Sequence, residues 1–88
     1  MIKLEKPIRM TVEEAEEAFY PNYYLMINCE MPRGSIIAGE VVAYAPMKES
    51  RPLHEYCSQL EDSGEYGWVM IMYTKDPLDG GPLLIEYY

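Results

Sequence analysis

The sequence predicts one small α+β domain, and three observations carry that expectation. Residues 2–10 and 23–30 space apolar side chains at the two-residue period of strands, and residues 68–73 form a continuous apolar run of strand length. Two other stretches, 11–20 and about 50–63, space theirs at helical intervals between clear start and stop signals. With 88 residues the chain has room for one domain, residues 1–88, and not for a second. A chain of this size buries roughly two-thirds of its surface on folding, enough for a core without staples.

In the first strand, Ile2, Leu4, Ile8 and Met10 share one face and Lys3, Glu5 and Arg9 the other, with Lys6 the one charge on the apolar side. Pro7 has no amide hydrogen to give a ladder, so it predicts an edge strand or an interruption. Thr11-Val12-Glu13-Glu14 then reads as a capping box, in which Thr11 and Glu14 satisfy each other's free amides. Glu13, Glu14, Glu16 and Glu17 stand where the helix dipole favours negative charge. Val12, Ala15 and Phe19 form the buried stripe, and the helix ends by Tyr20 because Pro21 disfavours helical geometry before it.

A turn at Pro21-Asn22 leads into the second strand, 23–30, where Tyr23, Leu25, Ile27 and Cys29 are expected to share a face. A hairpin loop at 31–35 precedes a third strand, 36–45, with Gly39 expected at a bulge or a close backbone approach. The second helix starts between Ser50 and Pro52, buries Leu53, Tyr56, Cys57 and Leu60, and ends on Gly64 as a left-handed cap. Residues 66–74 form the most apolar strand and belong near the sheet centre. A turn-rich loop at 75–82 and a last strand at 83–88 complete the chain.

The order β-α-β-β-α-β-β is expected to place both helices on one face of a single sheet. Its first six elements match the split βαβ, ferredoxin-like topology. The alternative is a compact ββαβ core over residues 23–74, with the N-terminal strand and helix packed on as an extension.

Seven Lys and Arg against fifteen Asp and Glu give a net charge of -8. That balance repels phosphate backbones and anionic lipid, so direct nucleic-acid or membrane binding through a basic patch is not expected. It admits a basic partner, and it also keeps a tyrosine-rich surface soluble. No run approaches the roughly 18 apolar residues of a membrane span, and the first residues lack a signal-peptide core. The chain is therefore expected in the cytoplasm, with Cys29 and Cys57 reduced.

His54 stands three residues before Cys57, so the two are helix neighbours that, with Cys29 and Glu61, supply a possible zinc set or thiol–imidazole pair. No Cys-x-x-Cys or paired-histidine spacing supports it, and Cys57 falls on the apolar stripe, where cysteine serves as a small hydrophobe. Glu30 and Glu40 fall in strands, but alternation assigns them to an exposed face. The glycines at 34, 39, 64, 67, 80 and 81 make no phosphate-cradling loop, and no nucleophile elbow is present. No catalytic, cofactor-binding or metal residue is assigned. Nine tyrosines and Trp68 exceed what a core of this size needs, which leaves aromatic side chains for a contact surface.

The stretch Met10-Thr11-Val12-Glu13-Glu14, then Tyr20-Pro21-Asn22 with Asn28-Cys29-Glu30, then Gly39-Glu40-Val41-Val42-Ala43-Tyr44, resembles uncharacterised small proteins of Firmicutes genomes, phages and conjugative elements. The resemblance covers about residues 10–45 and implies a host context without an activity. Acidic proteins of this size in that context include nucleic-acid mimics, among them anti-CRISPR proteins. The leading expectation is a non-catalytic protein-interaction module that forms a homodimer. A second is an acidic inhibitor or nucleic-acid mimic, which requires Glu13, Glu17, Glu61 and Asp62 arrayed on one face. A third is a small metal- or thiol-dependent enzyme, which requires Cys29, His54 and Cys57 to converge.

Overall fold

The computed structural model describes residues 1–74 and the backbone of 84–87; the loop expected at 75–82 lies outside the described residues. The elements run β1 (Ile2–Thr11), α1 (Val12–Phe19), β2 (Tyr23–Glu30), β3 (Ala38–Ala45), a 3-10 turn (Met47–Glu49), α2 (Ser50–Ser63), β4 (Met70–Tyr73) and β5 (Leu84–Tyr87). This is the expected α+β order.

Local chemistry sets both helix boundaries as the sequence suggested. Glu14 N–H donates to Thr11 Oγ1 at 3.1 Å, and Thr11 N–H donates to Glu14 Oε1 at 2.9 Å, closing the capping box. α1 stops at Tyr20, before Pro21. α2 stops at Gly64, whose φ of 68° is the left-handed conformation that costs glycine nothing.

The strands form one antiparallel sheet in the order β1-β3-β2-β4-β5. The β1-β3-β2 portion is that of a split βαβ, but β4 joins beside β2, whereas the ferredoxin-like arrangement puts it beside β1. β1 to β2 therefore crosses over β3, and β3 to β4 crosses over β2, in the same direction. Because β1 and β3 are antiparallel, two such crossovers of equal hand must lie on opposite faces.

That is where the helices are, in place of the single shared face expected. Ala15 of α1 packs with Tyr24, Met26, Val41, Met70 and Met72, flanked by Val12, Phe19 and Tyr44. Leu53 and Cys57 of α2 pack on the other face with Leu25, Ile27, Ala43, Ala45 and Ile71, flanked by Tyr56 and Leu60. A sheet covered on both sides explains why Tyr24 to Ile27 and Met70 to Met72 are buried without alternation.

Three irregularities redirect side chains. In β2, the register with β3 slips between Ile27 and Glu30, and Asn28 adopts φ 50°. Asparagine tolerates that conformation because its short amide bonds locally. The slip sends Cys29 to the α1 face, away from Tyr23, Leu25 and Ile27, with which alternation grouped it. In β3, Leu25 opposes Ala43 while Met26 opposes Val41, so Val42 is extra and joins Ala43 on the α2 face. In β1, Lys3 opposes Ala43 and Ile8 opposes Val41, leaving residues 4–7, Pro7 among them, as a bulge on an edge strand. β1 is consequently less buried than its alternation suggests: Ile2 is 54% exposed and Ile8 47%.

Gly39 is the expected close approach. A Cβ there would stand 2.4 Å from Met26 Cγ and 2.7 Å from its Sδ. β4 is shorter than the predicted 66–74 because its first half is held otherwise. Gly67 N–H donates to Asn28 Oδ1 at 2.8 Å, and Cys29 N–H donates to the Trp68 carbonyl at 3.1 Å.

Candidate functional site

The two bulges that face α2 leave a groove between β1 and the helix. Its floor is Ile27 of β2 and the bulged Val42 of β3; Leu4, Glu5 and Pro7 of the β1 bulge make one wall. Tyr56 and Leu60 of α2 and Tyr66 of the following loop make the other, around a volume of about 210 Å³. The Asn28 bulge holds the loop beside it, since Asn28 Oδ1 accepts from Gly67 N–H at 2.8 Å and its Nδ2 donates to Glu40 Oε2 at 2.8 Å. Tyr66 is 36% exposed. On the same wall, the Tyr56 ring has Lys3 Nζ 4.2 Å from its centroid, a cation–π contact.

A second hollow surrounds Thr11 and Ile37, where the loop before β3 meets the start of α1. Val12 N–H donates to the Ile37 carbonyl at 3.0 Å, so part of the helix terminus is satisfied by that loop. Arg9 and Glu30 form an exposed ion pair at its margin. Ile37 itself is 52% exposed.

The residues singled out for metal or thiol chemistry are not brought together. Cys29 lies on the α1 face, its Sγ 3.5 Å from the Met26 carbonyl; Cys57 lies on the α2 face, its Sγ 3.9 Å from Glu61 Oε1. Both are free thiols. Burial pushes each up to about 12, helped at Cys57 by the Glu61 carboxylate, so neither offers a thiolate at neutral pH. His54 remains with Cys57 on α2, on the far side of the sheet from Cys29. Among the described residues, no three His, Cys, Asp or Glu side chains are grouped to hold a metal ion.

The carboxylates of the nucleic-acid-mimic reading are likewise divided. Glu13 and Glu17 are on α1, and Glu61 and Asp62 on α2, across the sheet. Several tyrosines serve the interior. Tyr24 is fully buried, with its ring 5.8 Å from that of Phe19, and Tyr44 stands 5.1 Å from the same ring. Tyr23 stacks on Tyr73 at 4.0 Å. Among the described tyrosines, Tyr66 is 36% exposed and stands at the groove rim. Sequence reasoning did not find Leu4, Pro7, Val42 and Leu60 as a group; Pro7 in an edge strand was the one signal pointing there.

Among the described residues, no helix is long and apolar enough to cross a membrane. No protein-family model, curated protein or solved structure matches the chain.

Proposed function

We propose that this chain is a non-catalytic protein-interaction module whose contact surface is the groove on the α2 face. The observation that carries the reading is the groove itself: an apolar floor flanked by two tyrosines, with one wall made by a strand bulge. Tyrosine is the side chain that supplies large contact area at low entropic cost, and bulges recur beside functional sites. The buried, protonated thiols speak against the thiol-enzyme reading, and the division of carboxylates between two faces speaks against the mimic. The same proposal places the chain in the cytoplasm, where two free thiols stay reduced.

Self-association through β1 is the less favoured route. Its outer edge carries Lys3, Lys6, Pro7 and the 4–7 bulge, all devices that oppose strand addition.

Affinity capture from the native host, with wild-type protein and two variants, tests the proposal. Tyr66→Ala is expected to lower recovery of the captured partner about tenfold, as loss of a contact tyrosine does. Ile37→Ala, at the other hollow, leaves recovery unchanged. Equal recovery with wild type and Tyr66→Ala contradicts the reading.

A further inference from the structure

The charges around the groove define its occupant more closely. Resting on the groove as a contact surface, we infer that it receives a short cationic and aliphatic segment of another protein. Glu5 belongs to the groove wall, and Glu40 stands directly opposite the floor residue Ile27 on the same sheet face. Glu61 follows Leu60, and Glu65 precedes Tyr66. Among the described residues, the ion pairs Arg9–Glu30 and Arg51–Glu55 leave these four carboxylates without a cationic partner. Glu40 accepts from the neutral Asn28 amide, and Glu61 from the Cys57 thiol. Arg9 is committed to Glu30 and Lys3 to the Tyr56 ring, so Lys6, beside Glu5 in the β1 bulge, is outnumbered by the four carboxylates.

Unpaired carboxylates around a narrow floor of Ile27 and Val42 match Lys or Arg side chains, with aliphatic ones between them to meet that floor. Tyr66 adds an exposed ring on which a guanidinium can stack. A second copy of the chain is a poor occupant, because two molecules of net charge -8 repel each other and each has few cations to offer. Nucleic acid is excluded by the same sign of charge.

The probe is a fluorescein-labelled ten-residue peptide alternating Arg and Leu, compared with its Glu–Leu counterpart by fluorescence anisotropy at physiological ionic strength. The Arg–Leu peptide is expected to bind and the Glu–Leu peptide not. The double variant Glu5→Gln, Glu40→Gln weakens the Arg–Leu peptide roughly three- to tenfold, the range for two partly screened ion pairs. Glu13→Gln with Glu17→Gln removes the same charge from the α1 face and changes binding less than about twofold. Equal weakening by the two doubles overturns the inference, because attraction is then to net charge alone. Tight binding of the Glu–Leu peptide that Tyr66→Ala abolishes overturns the cationic preference and leaves the contact surface standing. Binding of either peptide that Tyr66→Ala does not alter overturns both.

Discussion

Gly39 of β3 lies against the Met26 side chain of β2. A methyl group at Gly39 would overlap the middle of the Met26 side chain, with Cγ at 2.4 Å, and Met26 is fully buried. Gly39→Ala is therefore expected to destabilise the fold by about 1–3 kcal/mol, the cost of overpacking. Urea unfolding measures it as a lower midpoint at unchanged slope; an unchanged midpoint would show that Met26 repacks freely. The glycine was legible in sequence as a bulge or close approach, but its partner was not, because cross-strand register cannot be read from one strand. The two thiols make a second prediction at this scale. Their folded pKa values, raised by burial to about 12, exceed those of the unfolded chain, so their contribution is complete below the ordinary thiol range. It is lost as pH rises from that range toward about 12, because the unfolded chain ionises first. Wild-type stability should fall more steeply over this window than that of the Cys29→Ala, Cys57→Ala variant. Equal slopes would mean that the thiols are not buried as described.

At the scale of elements, punctuation was legible and bulges were not. The capping box of α1, Pro21 after it and Gly64 after α2 each act through a local backbone requirement, and each fixed a boundary where the sequence placed it. Asn28 acts differently: a left-handed residue inside a strand shifts every later side chain to the other face, and strict alternation cannot register that. Cys29 moved to the α1 face for this reason. The same blindness hid the groove, whose wall and floor are the bulges at residues 4–7 and Val42. Pro7 was visible, and its role at the edge can be tested. Pro7→Val restores an amide hydrogen and strand propensity to β1, so sedimentation should show stronger concentration-dependent association than that of the wild type. Identical sedimentation of the two would mean that Pro7 does not guard the edge.

At the scale of the molecule, the β-α-β-β-α-β-β order was predicted correctly and the placement of β4 was not. Local pattern does not specify which sheet edge a strand joins; that depends on which two surfaces bury more together. One signal for a sheet covered on both faces was nevertheless present. Tyr24 to Ile27 and Met70 to Met72 are apolar without interruption, as strands buried on both sides require. With the helices on opposite faces, the acidic residues of α1 and α2 cannot form one field. The groove under α2 becomes the surface on which exposed tyrosine and unpaired carboxylates coincide. Photocrosslinking in the native host tests that claim most directly, with p-benzoylphenylalanine placed at Tyr66 in one variant and at Ile37 in another. A discrete crosslinked protein from position 66 and none from position 37 is the predicted result; crosslinks from 37 alone, or from neither, would contradict it.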